Sequence, residues 1–255
     1  MFEPGFDQAA GLRAEPSVAG PVLMPVASPA QPERGYEWLC TLASSLSAEG
    51  RTVAIVDGTA NESRSNDQGL MRALQDPSIA NLERPVDEAA DWLVLPGAAG
   101  LQALLETART AGASSAIARL LAPFAAGVVV LLFAPAHALA SLLQDLNART
   151  LVPVVEQPQA SIDAYGAVKL LAAADVLPVL APLAASQAAA SALQTVVHNV
   201  IDTAERHLHL ALDCWPAHSW ALRVQESAIP RPARAYPAHG VHGVFAPAAA
   251  PSLWS

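Results

Sequence analysis

This 255-residue chain is poor in several things at once. Lys169 is its only lysine, charged residues make up 15% and aromatic residues 5%, and the formal net charge is −9. That balance leaves no basic footprint for a nucleic acid, so no direct nucleic-acid partner is expected. Cys40 and Cys214 are the only cysteines. Two isolated thiols in apolar stretches give no close-spaced ligand motif and no disulfide framework, and both are expected as buried thiols of a cytoplasmic protein. The first twenty residues carry Glu3, Asp7, Arg13 and Glu15 and no continuous apolar core, so no secretory signal is expected. Leu120 to Leu143 lacks Asp, Glu, Lys and Arg and has the length to span a bilayer, but Pro123, Pro135 and His137 interrupt it. Gly127–Phe133 (GVVVLLF) reads better as a strand covered on both faces that feeds a helix over Ala136–Leu146.

With hydrophobic residues at 53%, the chain is long enough and apolar enough to bury one large core. Strands are predicted at Val22–Ala27, Thr52–Asp57, Trp92–Leu95, Gly127–Phe133, Leu151–Val155, Val176–Leu180 and Leu208–Leu212. Helices are predicted at Tyr36–Glu49, Leu101–Ala111, Ile162–Ala174 and Ser186–Arg206. This alternation predicts an α/β fold, a doubly wound and mostly parallel sheet with helices on both faces. The body spans 21–226. Residues 1–20 form an N-terminal segment with one helical stretch, and the Pro/Ala-rich residues 227–255 read as a tail without periodicity.

The loop that follows the first strand, Ser28-Pro-Ala-Gln-Pro-Glu-Arg-Gly35, also lacks what its position calls for. Loops here in nucleotide-binding α/β domains cradle phosphate with glycine N–H groups and lysine. This one has a single glycine, no lysine, and two prolines without an N–H. Other candidates carry little. His207 and His209, or His239 and His242, are close in sequence, and an H-x-H on a strand places both side chains on one face as a metal site needs, but no carboxylate or cysteine cluster accompanies either pair. Ser28, Ser44 and Ser45 have no G-x-S-x-G elbow around them. Asp57, at the end of the second strand, suits either a catalytic carboxylate or the cap of the next turn.

Val22–Thr59 resembles the opening of the MinD/ParA ATPases: strand, deviant phosphate loop, helix, and a strand ending in Asp. The resemblance places that family's two lysines near Ala30 and Gly35, its magnesium-binding hydroxyl near Tyr36, and its second acidic motif near Phe133. Arg34 stands beside one of the lost lysines, and Asp57 alone remains of the catalytic set. Leu93–Leu101 and Gln157–Leu171 are similar to segments of the flagellar FlhG/FleN branch of that family. Phe6-Asp7-Gln8-Ala9-Ala10-Gly11-Leu12-Arg13 resembles the Asp-Gln-Ala-x-x-Leu-Arg peptide with which that branch activates FlhF, a GTPase of the signal-recognition-particle type that places flagella.

The resemblance implies a pseudo-ATPase that has lost ATP and magnesium binding. It implies a regulator of flagellar number and placement that stimulates FlhF through Phe6, Asp7, Gln8, Ala9, Leu12 and Arg13. By the same resemblance Gln8 is the residue to orient water or buttress a switch in the GTPase. Flagellar switch (C-ring) proteins or a flagellar transcription regulator are the further partners it suggests, with polar recruitment through partners. The family's basic membrane helix is interrupted here by prolines after Ser227, so membrane contact is expected to be indirect at most. A monomer is expected rather than an ATP-sandwiched dimer. The alternatives are weak ATP binding through Arg34 and a helix N-terminus, or a scaffold that binds partners through its helices.

Overall fold

A computed structural model describes residues 20–62, 69–76, 92–156, 159–184 and 186–232. The strands are β1 (Val22–Ser28), β2 (Thr52–Asp57), β3 (Trp92–Pro96), β4 (Val128–Pro135), β5 (Arg149–Val155), β6 (Leu177–Leu183), β7 (Asp213–Cys214) and β8 (Ile229–Pro230). The helices are α1 (Tyr36–Ala48), α2 (Leu70–Gln75), α3 (Ala98–Ala111), α4 (Ala113–Leu121), α5 (Ala136–Leu143), α6 (Ala160–Ala172), α7 (Gln187–Leu208) and α8 (Trp220–Ser227). Seven strands lie in the order β3-β2-β4-β1-β5-β6-β7, all parallel, and β8 pairs antiparallel with β1. The predicted doubly wound sheet is therefore the observed one.

Apolar residues on both faces explain why the strands read as continuous hydrophobic runs. One face buries Leu23, Val130 and Leu132 under α2 to α7, and the other buries Met24, Val26, Leu131 and Phe133 under α1 and α8. On the second face Trp38 and Trp220 pack with ring centroids 4.8 Å apart, and Trp38 Nε1 donates to the Ala181 carbonyl at 2.8 Å. The indole N–H thus finds a partner inside an apolar layer, as burial requires.

Strand β1 lies between β4 and β5. The chain leaves β1 toward β2 on one side, and leaves β4 toward β5 on the other. Neighbouring connections that depart in opposite directions open a crevice at the C-terminal ends of the strands, where ligand sites of open α/β sheets form.

Three expectations change. Leu208–Leu212 is not a strand: α7 runs on to Leu208, His209 is its left-handed C-cap at φ 53°, and the edge strand is Asp213–Cys214. The period-2 spacing of Leu208, Leu210 and Leu212 loses to the i, i+4 series Val200, Ala204, Leu208, whose first two members are buried. His207 and His209 accordingly share no strand face. Both cysteines are exposed. Cys40 lies on α1 outside the buried set Trp38, Leu39, Leu42, Ala43 and Leu46, and Cys214 lies on the edge strand. Past Ser227 the chain still contributes β8, with Leu23 opposite Ile229 and Val22 opposite Pro230.

Leu120–Leu143 resolves into the end of α4, the buried β4 and the short α5. Among the described residues no helix is long and apolar enough to cross a membrane.

Candidate functional site at the C-terminal ends of the central strands

The loop after β1 closes through a 3-10 turn, Pro32–Gly35, that runs directly into α1. Pro32 opens the turn because a first-turn N–H has no helical partner to lose. The Arg34 N–H donates to the Gln31 carbonyl at 3.1 Å. Ala30 and Arg34 lie at the surface, whereas Gly35 is buried. A Cβ on Gly35 would stand 2.9 Å from Phe133 Cζ and 2.9 Å from Pro29 Cδ. The loop backbone therefore rests against the Phe133 ring, and only glycine allows that approach.

Phe133 is fully buried. Its ring meets Tyr36 at a centroid distance of 5.8 Å and a tilt of 51°, within the range of favourable aromatic pairs. Tyr36 is 39% exposed, and its hydroxyl donates to Asp57 Oδ2 at 3.0 Å. Asp57 is buried. Its Oδ1 accepts from the Thr59 N–H at 2.9 Å and from Thr59 Oγ1 at 2.6 Å. A carboxylate has about four acceptor positions, and three hydrogen bonds from within the chain occupy most of them.

The backbone holds this cluster together. The Gly58 N–H donates to the Phe133 carbonyl and the Gly97 N–H to the Asp57 carbonyl, both at 2.8 Å. Those bonds bind the ends of β2, β3 and β4. Tyr36 is consequently placed in a mixed field. A hydrogen bond with Thr59 lowers its phenol pKa, while burial and the Asp57 carboxylate raise it further, leaving the phenol above its ordinary value. The Tyr36 hydroxyl and both Asp57 carboxylate oxygens are engaged in hydrogen bonds within the chain, and the cluster brings together one carboxylate, one phenol and an aromatic wall.

The structure thus brings Gly35, Tyr36, Asp57 and Phe133 of the predicted set into one contact group, and leaves Ala30 and Arg34 on the loop's outer side. Phe6, Asp7, Gln8, Ala9, Leu12 and Arg13 lie outside the described residues, as do His239 and His242. Two participants were missed in the sequence. Thr59 was signalled by the Asp-x-Thr spacing of an Asx turn. Glu62 carried no local signal: its Oε2 accepts from the Met71 N–H at 2.9 Å and its Oε1 from the Gly100 N–H at 2.7 Å. One carboxylate therefore caps the starts of both α2 and α3.

Among the described residues no group of three or more His, Cys, Asp or Glu side chains is placed to hold a metal ion.

No protein-family model and no curated protein matches the chain. Among solved structures, a chain of the MinC:MinD cell division protein complex of Aquifex aeolicus aligns with a TM-score of 0.51 at 11% identity, covering 83% of this chain and 99% of that one. A plasmid partition protein from Borrelia burgdorferi aligns with a TM-score of 0.48 at 12% identity, covering 81% of this chain and 98% of that one. A ParA family ATPase from Chlorobium tepidum TLS aligns at 0.42 and 16% identity, covering 71% and 81%. At these identities the likeness is one of fold. The sheet order and the Aquifex alignment agree on a MinD/ParA-like α/β architecture.

Proposed function

We propose that this MinD/ParA-like domain is a non-catalytic regulator of flagellar number and placement, which stimulates the GTPase FlhF through Phe6–Arg13. The observation that carries the loss of catalysis is the contact group Gly35–Tyr36–Asp57–Phe133. A polyphosphate and its magnesium need cations, N–H donors and free carboxylate oxygens at the crevice. Here the loop presents two prolines, a phenylalanine ring stands behind Gly35, and a tyrosine hydroxyl takes one oxygen of Asp57. The residues present do not fit ATP and magnesium, so no hydrolytic step is assigned to them. Lys169, the only lysine, lies on α6.

The activating role is supported by the resemblance of Phe6–Arg13 to the Asp-Gln-Ala-x-x-Leu-Arg peptide, and the flagellar process by the segments Leu93–Leu101 and Gln157–Leu171. Asp7 suits an N-cap, and Phe6, Ala9, Ala10 and Leu12-Arg13 suit one turn or two of a short helix with an apolar side. Such a helix is marginal alone in water, and Gly11 costs it about 1 kcal/mol relative to alanine.

Adding the full chain to FlhF and following GTP turnover tests this reading. Stimulation is expected, with Gln8→Ala lowering it by at least about tenfold, the scale on which a water-orienting group matters in GTP hydrolysis. Unchanged turnover, or a Gln8→Ala chain as active as the parent, sinks the proposal.

One observation favours weak nucleotide binding instead. A cleft of about 510 Å³ opens beside the start of α1, lined among others by Arg34, Trp38 and Thr41. Glu37 and Glu156 line it too, and two carboxylates oppose a polyphosphate more than one guanidinium attracts it. Calorimetry with ATP and magnesium is expected to show no binding tighter than millimolar.

A further inference from the structure

We infer that a groove between the β1 loop and α6 is a docking site for this chain's own N-terminal segment, Phe6–Arg13. Helix α6 has two apolar faces, and the fold uses one. Ala164, Val168 and Leu171 are buried, whereas Ile162 and Leu170 are 71% and 47% exposed. Ile162, Gly166 and Leu170 recur every four residues, so they line one stripe. A Cβ on Gly166 would meet nothing within 4 Å. Large side chains thus stand at the two ends of the stripe, with a gap between them. Across from the stripe stand Pro29 and Pro32 of the loop and Ala136 at the start of α5, enclosing about 440 Å³. Asp163 and His137 are its titratable side chains.

This shape calls for a short apolar helix with a narrow waist and one cation. Phe6–Arg13 has that pattern. Phe6 and Leu12 flank Ala9 and Ala10, and Arg13 supplies a guanidinium for Asp163. Small residues facing Gly166 let two helices approach closely.

The connection is long enough. Gly20 precedes β1 at the N-terminal end of the sheet, and α6 descends to that same end before β6 begins. Residues 14–20 reach roughly 23–25 Å when extended, and the thirteen residues of α6 span about 20 Å. The tether can therefore reach along the whole stripe, and the contact is intramolecular. Pro232, the last described residue, also lies at this end, next to β8, but the sequence after it does not repeat the Phe–Ala–Ala–Leu–Arg pattern.

The regulatory consequence, which rests on the activator role proposed above, is self-sequestration. Phe6 and Leu12 cannot pack on α6 and on a GTPase at the same time, so a partner must compete for the segment.

Photo-crosslinking of the full chain with benzoylphenylalanine at position 6, read by peptide mass mapping, tests the docking without any GTPase. Intramolecular adducts on Ile162–Leu170 are expected. Ile162→Asp, and separately Leu170→Asp, should reduce them by at least about fivefold, the factor that a loss of ~1 kcal/mol produces. Both positions are exposed, so the fold tolerates the change. Adducts elsewhere, adducts to a second copy of the chain, or adducts indifferent to both substitutions overturn the proposal, as does the same groove being labelled from position 254 in place of position 6. In a parallel GTP-turnover assay with FlhF, Ile162→Asp should stimulate more than the parent chain. If neither stimulates, the activator role falls while the crosslinks still decide the docking.

Discussion

The Tyr36 phenol donates to a buried carboxylate while its ring leans on Phe133, so its protonation is tied to the folded state. Its pKa is raised on folding. A group whose folded pKa exceeds its unfolded value contributes stability that is present below the unfolded pKa, here the ordinary 10.0, and is lost as pH rises through the folded value. The melting temperature of the parent chain should therefore fall more steeply than that of Tyr36→Phe, which has no proton to lose, as pH rises above the ordinary 10.0. Parallel curves would exclude the coupling. Gly35 supplies a second test at this scale. Gly35→Ala places a methyl 2.9 Å from the Phe133 ring, and overpacking of this kind costs about 1–3 kcal/mol. Phe133→Leu shortens the opposing side chain, so the double variant should lose less than the two single losses combined. Additive losses by chemical denaturation would show that Gly35 and Phe133 do not meet.

Among the elements, Glu62 has the widest reach. A single carboxylate caps the first turns of α2 and α3, and these helices pack so closely that a Cβ on Gly100 would stand 2.5 Å from Leu70 Cγ. Glu62→Ala removes both hydrogen bonds at once and should cost about 2 kcal/mol. Hydrogen exchange provides the specific readout: the Met71 and Gly100 amides should exchange faster, with β4 amides unaffected when opening is local. Uniform protection loss would instead indicate global destabilisation. At this same scale the sequence was legible wherever periodicity ran without competition. The second strand, Thr52–Asp57, lies where its apolar run placed it, and α1 begins at Tyr36 as predicted. Leu208–Leu212 misled because a period-2 run was appended to a helix whose inward stripe, Val200 and Ala204, already continued into the partly buried Leu208. Cys40 misled because hydrophobic neighbours in sequence are not neighbours on a helix face: it adjoins Leu39, which is buried, and is itself exposed.

For the whole molecule, the sheet order decides what the crevice contains. Strand β1 sits between β4 and β5, with β2 beyond β4, which brings residues 35, 36, 57 and 133 to one point. A chain with this arrangement is expected to melt at the same temperature with and without ATP and magnesium, because a ligand raises stability only by binding the folded state. A rise of several degrees at millimolar ATP would contradict the proposed loss of the nucleotide site.

The sequence by itself determined the alternation of strands and helices, the absence of lysine from the loop after β1 and the single acidic residue at the end of β2. These are local properties, written in periodicity and residue type. Tertiary structure alone decided that the Phe133 ring fills the space behind Gly35, that Tyr36 and Thr59 share Asp57, and that Glu62 joins two helix starts. Each of those contacts depends on strand order and on which face a side chain occupies. Residues 36 and 57, or 62 and 100, become partners only when hydrogen bonding between strands brings distant segments to the same edge of the sheet.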